Sequence, residues 1–544
     1  MLPKRVFKVN GKPFFPLGGQ VKNSSGYAPE ELETAWKALK YINANTVEIP
    51  VYWELVEPEE GKFDFTIVGE LIKGARQHNL RLILLWFATW KNGHMKFAPE
   101  WVKRDTKRFK RVLTHDGEPI PTLSSHCKET WEADKKAFCQ LMKFLRDNDE
   151  NEQTVIAVQV QNEPGILGSD RDYGPDGEKE FNSEVPSELV EKIKNAVGTP
   201  IHQVWKQSGA RDSGTWPELF GRNASEVMTA WSIARYIDGI AKAGKEIYDI
   251  PLYVNAWLDK IQWNMAGLNY PSGSPVTLTL DVWKWATPNI DLIAPDIYKG
   301  DYLSYRSACQ LYSRPDNPLF VPESGTTDSN AINVFYAIAD YNAIGYHAFG
   351  IEQIVDEEGL LRPEAEKLAG SFQALSAALP LIMKYQGTGK IHAVVQQEFQ
   401  LEQLVDLGKY QGLVKFYETV PPSKHRTPNI HWLDFRHRGL DLANERGRGL
   451  IIQAGDHEFY VLGAGFQLIL HRKDAPYNML TGAQSSERMQ MELADYIRVE
   501  EGRFDEEGNW HVIRRRNGDE TDFNGIWVQP DVGVVRVIMN DFDD

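Results

Sequence analysis

The sequence predicts an α/β protein: a (β/α)8 barrel, the TIM barrel, with a C-terminal antiparallel β-sandwich. Three observations predict it. Eight short apolar runs alternate with longer helical stretches over residues 14 to 385. Several of these runs show no polar alternation, as expected of strands covered on both faces. After about residue 388 the pattern changes to short alternating runs separated by turn signals.

In order, the eight runs are FFPLGG (14 to 19), NTVEIPVYW (45 to 53), LRLILLWFATW (80 to 90), TVIAVQVQNE (154 to 163), PLYVNAWL (251 to 258), IDLIAPDIY (290 to 298), PLFVPESG (318 to 325) and IGYHAFGI (344 to 351). Helical patterns lie between and after them, at 29 to 43, 66 to 78, 130 to 147, 225 to 248, 329 to 342 and 363 to 385. The last opens at Pro363-Glu364. A first-turn proline there forfeits no hydrogen bond, and an acidic residue meets the positive end of the helix dipole. An open doubly wound sheet is the competing architecture, but the sequence has no GxGxxG after the first run and no P-loop.

Residues 165 to 223, rich in Gly, Asp, Glu and Ser, form a long insertion between the fourth run and its helix. Such a connection is expected to stand over the barrel mouth, with a short helix near 187 to 197. The barrel is assigned to 1–387 and the sandwich to 388–544. The sandwich runs are 449 to 455, 457 to 471, 494 to 504, 509 to 516 and 532 to 541, with turns at 505 to 508 and Asn517-Gly518.

The chain has 544 residues, 42% hydrophobic, 25% charged and 11% aromatic, the composition of a globular protein with a real core. A net charge of −16 repels polyphosphates, so no nucleic-acid partner is expected. Cys127, Cys139 and Cys309 fit neither a disulfide framework nor a zinc knuckle and suit a reducing compartment. The first residues lack a secretory apolar segment, and no 18-residue apolar run follows, so a cytoplasmic location without membrane contact is expected. The thirteen histidines contain no HExxH, and GxSxG is absent. No metal and no cofactor are therefore expected. Homo-oligomerisation is left open.

Working residues of a parallel barrel sit at the C-terminal ends of its strands. Glu163 ends the fourth run and Glu323 the seventh, each a charged residue directly after apolar sequence. Singly, either would serve equally well in a structural salt bridge. As a pair they lie across the mouth of an eight-strand barrel, and two carboxylates flanking an acetal are the equipment of glycoside hydrolysis.

Asn162-Glu163 and Glu323 resemble the acid/base and nucleophile positions of the retaining (β/α)8 glycosidases of clan A. The segment VYWELVEPEEGKFDF (51 to 65) resembles glycoside hydrolase families 35 and 42, both rich in β-galactosidases. Gln159-Val160-Gln161-Asn162-Glu163 with Gly165 is closer to family 35. Two positions depart from that pattern: Pro164 stands where many members have tyrosine, and Gln20 where an acidic residue is expected. The resemblance covers roughly residues 12 to 385. It implies a retaining exo-β-glycosidase, a β-galactosidase first, acting on a terminal β-linked carbohydrate.

The resemblance also implies roles. Glu163 is the general acid/base, its pKa raised beside Glu323, and Glu323 is the nucleophile. Asn162 hydrogen-bonds the sugar 2-hydroxyl, and Tyr298 donates to the nucleophile. Trp86, Trp90, Asn255, Trp257, Phe349 and Glu352 also fall at strand ends and are candidate sugar contacts, although large aromatics are equally ordinary core residues. Tyr173, in the insertion, is a candidate to reach over the mouth. The alternatives are an exo-β-glucosaminidase, β-glucosidase or transglycosylase on the same fold, and a non-catalytic carbohydrate-binding protein.

Overall fold

The computed structural model describes residues 6–259, 264–397, 400–416, 446–473, 477–478, 483–484, 496–505, 507–517, 521, 525–528 and 533–540. Seven parallel strands form the barrel wall: β1 (Leu17–Gln20), β2 (Thr46–Tyr52), β3 (Arg81–Lys91), β4 (Val155–Asn162), β5 (Leu252–Trp257), β6 (Leu292–Asp296) and β7 (Tyr346–Phe349). They pair in the order β6-β5-β4-β3-β2-β1-β7. Every residue of β2 and β4 is buried, because helices cover one face of the wall and the barrel interior the other.

The seventh apolar run closes the gap between β6 and β7. Val321 pairs with Tyr346 and Ser324 with Ile297, each as a single parallel bridge. The Ile297 N–H also donates to the Glu323 carbonyl at 2.8 Å. Pro318 and Pro322 have no N–H to offer, so this stave is tied by separate bonds instead of a regular ladder. The (β/α)8 barrel is therefore complete, with one irregular member, and that member carries Glu323.

The helical patterns become α1 (Glu33–Tyr41), α2 (Thr66–Gln77), α3 (Lys128–Asp149), α4 (Ala224–Lys245), α5 (Leu280–Ala286), α6 (Tyr302–Tyr312), α7 (Asp328–Ala339) and α8 (Glu366–Ala377). α5 and α6 were not expected from the sequence. The single helix expected over 363 to 385 is divided into a 3-10 turn, α8 and Leu379–Tyr385. Pro380, in the first turn of the last piece, cannot continue a preceding helix.

The insertion is not an open loop. Pro175–Phe181, Ser187–Asn195, Pro200–Gln207 and Trp216–Phe220 are helical. Their Leu189, Ile193, Ile201, Trp216 and Phe220 are buried, and the first and last of these helices pack along α4. α4 is correspondingly buried around most of its circumference.

Beyond the barrel come β8 (Ile391–Val395), β9 (Glu402–Leu407), β10 (Tyr410–Phe416), β11 (Arg448–Gln453), β12 (Glu458–Ala464), β13 (Phe466–Arg472), β14 (Tyr496–Phe504), β15 (Trp510–Arg516), β16 (Ile526–Val528) and β17 (Val534–Met539). They form a six-stranded sheet, β8-β11-β12-β17-β14-β15, and a four-stranded sheet, β9-β10-β13-β16, both antiparallel. The inner strands of the six-stranded sheet are buried on both faces, whereas β15 at its edge is largely exposed. Ala393, Leu450, Ile452, Leu462 and Val534 join the barrel's core, while Val394, Ile451, Phe459, Val461 and Val535 face the four-stranded sheet. The 457 to 471 run is two strands in different sheets, divided at Gly465 in the left-handed region (φ 77°). No helix among the described residues is long and apolar enough to cross a membrane.

Candidate active site

Glu163 follows β4 in a left-handed backbone conformation (φ 43°), as does Gln161 two residues earlier (φ 67°). Neither is glycine, so both positions hold strain that their neighbours must oppose. Gln161 is pinned by its amide, whose Oε1 accepts from the Trp90 N–H at 3.0 Å and whose Nε2 donates to Asp134 Oδ2 at 2.6 Å. Glu163 is pinned through its main chain. Its N–H donates to Asn255 Oδ1 at 2.8 Å, and its carbonyl accepts from the Gly93 N–H at 3.2 Å. Beyond it, Gly165 passes the next loop so closely that a Cβ would lie 2.4 Å from Pro271 Cβ.

The two glutamates differ in their surroundings. Glu323 Oε1 accepts from Gln20 Nε2 at 2.9 Å and Asn162 Nδ2 at 3.4 Å, and its Oε2 accepts from the Tyr298 hydroxyl at 2.7 Å. The Glu163 carboxyl accepts from Asn92 Nδ2 and also meets Asp296 at the end of β6. Glu163, Asp296 and Glu323 each place an oxygen within 4.8 Å of the other two, and the residues are 6%, 3% and 4% exposed. Lys91 Nζ, 2.8 Å from Asn162 Oδ1, is the cation whose charge reaches both Glu163 and Asp296.

Burial first, and the charge of Glu323 second, push the Glu163 carboxyl up to about 7. Asp296 is pushed well above the usual carboxylate range by burial, then by Glu323 and Glu163. Burial, then Glu323 and Asp296, hold the Tyr298 phenol proton far above its ordinary value. Three oxygens this close could converge on a cation. The amide and phenol donors already on Glu323 instead equip it for hydrogen bonding.

The structure sorts the remaining candidates. Asn162 and Tyr298 lie directly on Glu323. Phe349, half-buried at the end of β7, meets Tyr298 edge-on at 6.4 Å, and Trp257 is half-buried at the end of β5. The expectation that Trp86 contacts sugar is overturned: it is fully buried, donates its indole N–H to Asp134 Oδ1 at 2.8 Å and packs on Phe138 of α3. Its side chain points away from the mouth because strand residues alternate between the two faces of the wall. Trp90 is likewise buried, edge-on to Tyr236.

Three polar candidates hydrogen-bond to groups of the protein itself. Both amide atoms of Asn255 are committed, Oδ1 to Glu163 and Nδ2 to Asp296 Oδ2 at 2.8 Å. Glu352 accepts from the Lys22 N–H at 3.0 Å and the Ser25 hydroxyl at 2.6 Å, fixing the loop after β1. Tyr173 does not reach the glutamates. Its hydroxyl donates to Asp170, its ring lies 3.7 Å under the Arg171 guanidinium, and His115 packs edge-on to it.

Sequence reasoning missed Asp296, Lys91 and Asn92 and saw Gln20 only as a departure. Asp296 carries the same signal as Glu163, a carboxylate at the end of an apolar run. Lys91 and Asn92 reach the site because β3 extends beside Asn162 and turns back there. Below the site, Glu48 accepts from the Tyr253 hydroxyl at 2.8 Å and pairs with His347, all three buried. A cavity of about 830 Å3, lined by Glu226, Leu258, Asp259, Tyr270, Lys299 and Tyr312 among others, flanks the ends of β5 and β6.

Residues 25–208 match the family model of glycoside hydrolase family 42, described as beta-galactosidase. Residues 368–528 match one described as a domain of unknown function, DUF5597. The specific likeness to family 35 is not supported, since the matching model is that of family 42. A curated beta-galactosidase of Xanthomonas manihotis is 31% identical over 180 residues, covering 31% of this chain and 27% of that protein. Beta-galactosidase-1-like protein 3 of Mus musculus is 30% identical over 183 residues, covering 32% of this chain and 25% of that protein. These matches span about a quarter of the length of the curated relatives. Among solved structures, a beta-galactosidase from Bacillus circulans sp. alkalophilus is similar at a TM-score of 0.47 with 15% identity, covering 67% of this chain and 56% of that one. One from Rahnella sp. R3 is similar at 0.47 with 15% identity, covering 70% and 58%.

Proposed function

We propose that the chain is a retaining exo-acting β-glycosidase of β-galactosidase type, with Glu323 as nucleophile and Glu163 as acid/base. The observation that carries this reading is the approach of the two carboxyl groups, with nearest oxygens within 4.8 Å. Retaining glycosidases hold theirs about 5 to 5.5 Å apart, whereas inverting ones need roughly 6.5 Å or more to admit a water. The matches to beta-galactosidases support the sugar, and the match over 25–208 favours family 42 over family 35.

In the first step Glu163 gives its proton to the glycosidic oxygen while a Glu323 oxygen attacks the anomeric carbon. The bond to the leaving group breaks, an alcohol departs, and a glycosyl ester remains on Glu323. With the Glu323 charge consumed, Glu163 becomes the base. It takes a proton from water, the water oxygen bonds the anomeric carbon, and Glu323 leaves as carboxylate with the sugar's configuration retained. Tyr298 and Gln20 hold Glu323 in its attacking orientation. Asn162, between Lys91 and Glu323, is placed to meet the sugar 2-hydroxyl.

Replacing Glu323 by Gln is expected to abolish turnover of nitrophenyl β-galactoside, and substantial residual activity would refute the assignment. Screening the β-glucoside, β-glucosaminide, β-xyloside and β-fucoside alongside identifies the sugar. Because the acid must enter protonated and its pKa is about 7, kcat/KM is expected to fall as pH rises through that value.

A further inference from the structure

Asp296 has no part in the scheme above, yet it touches the acid. It ends β6 and is 3% exposed. Its Oδ2 accepts from Asn255 Nδ2 at 2.8 Å, and the same amide's Oδ1 holds the Glu163 N–H at 2.8 Å. One side chain therefore fixes both acids in register. Asp296 Oδ1 meets no amide, hydroxyl or cationic donor among the described residues, and the Asp296 carboxyl has an oxygen within 4.8 Å of the Glu163 carboxyl. Two buried carboxyl groups this close do not both ionise readily, because two carboxylates repel, so the pair retains a proton.

Burial and the surrounding charges decide where the proton rests. Lys91 faces the pair from β3, Glu323 from the 319 to 324 stave, Tyr298 from beyond β6, Tyr253 from β5 and Tyr312 from α6. Glu163 and Asp296 each accept one amide donor, from Asn92 and Asn255, but the second oxygen of Asp296, the more deeply buried of the two residues, meets no such donor, which disfavours its charged form. We propose that Asp296 is a positioning residue that stays protonated through turnover and donates its hydrogen bond to the Glu163 carboxylate.

The consequence for catalysis rests on the glycosidase reading; the protonated state of Asp296 does not. When Glu163 has passed its proton to the leaving oxygen, its new charge sits in a buried site, and the Asp296 O–H is there to receive it. When Glu163 takes the proton of water, the contact reverts. Asp296 itself gains and loses nothing over the cycle. Its pKa, raised by burial and by its acidic neighbours, is in keeping with a neutral acid used as a donor.

The test compares the full-length protein with its Asp296→Asn and Asp296→Ala variants. Infrared difference spectra at pH 8 between the parent and Asp296→Asn should show a protonated-carboxyl band in the parent. No such band would overturn the proposal, whether or not the chain hydrolyses any glycoside. On an active substrate, Asp296→Asn keeps a neutral donor, so kcat/KM should stay within about tenfold and its basic limb should not move down. A limb lowered by a unit or more would mean that an ionised aspartate had been removed, and would overturn the proposal. Asp296→Ala, lacking the donor, should lose about 100-fold in kcat and move the limb upward.

Discussion

Tyr298 joins the two properties the nucleophile needs, access and orientation. The residue is 48% exposed while its hydroxyl bonds Glu323 at 2.7 Å. Tyr298→Phe removes one of the three side-chain donors on that carboxylate, a charge-assisted bond worth about 1.5 to 3 kcal/mol. In the proposed reaction kcat should fall about 10- to 100-fold with little change in the thermal midpoint, read by steady-state kinetics and thermal denaturation. Glu163 and Glu323 were legible in the sequence as a pair, each a charge closing an apolar run, on staves that lie across a barrel mouth from each other. Asp296 meets the same criterion in Pro295-Asp296-Ile297-Tyr298, but nothing in the sequence marks it as a neighbour of Glu163. Lys91, Asn92 and Gln20 carry no such mark, since their partners arrive from other strands.

At the scale of elements, apolar runs revealed the barrel staves but not the direction of their side chains. Trp86 sits on β3 among residues that are almost all buried, so no alternation showed which face of the wall it takes. It belongs to a buried set in which Asp134 accepts from Trp86, Thr89 and Gln161, and burial pushes the Asp134 carboxyl up to about 6. Trp86→Phe strips one donor from that carboxyl and should cost about 1.5 to 3 kcal/mol in urea denaturation. KM for an aryl galactoside should stay within about twofold, whereas a sugar-stacking tryptophan would raise it far more. Proline accounts for two of the departures from expectation, the bridged stave around Pro322 and the break before Pro380. The two strands on either side of Gly465 were read as one because a single glycine inside an apolar run looks like a strand residue.

At the scale of the whole molecule, acidic groups taken out of water set the pH response. Glu226 on α4 is 8% exposed, accepts from the Tyr270 hydroxyl at 2.8 Å, and is pushed by burial up to about 7. Between its unfolded value and 7 the native state binds the extra proton, so stability falls as pH rises through that window. Glu226→Gln should flatten this slope and stabilise the protein above pH 7 by up to roughly 3 kcal/mol, read from urea midpoints between pH 5 and 8. The sequence announced the two architectures but not how they meet, because a strand buried on both faces reads alike whatever covers it. The six-stranded sheet is a party wall: rows of its side chains alternate between the barrel's interior cluster and that of the neighbouring sheet. Cutting the polypeptide near residue 388 would strip the plaster from two rooms at once, so neither fragment should be recoverable as a soluble, independently folded piece.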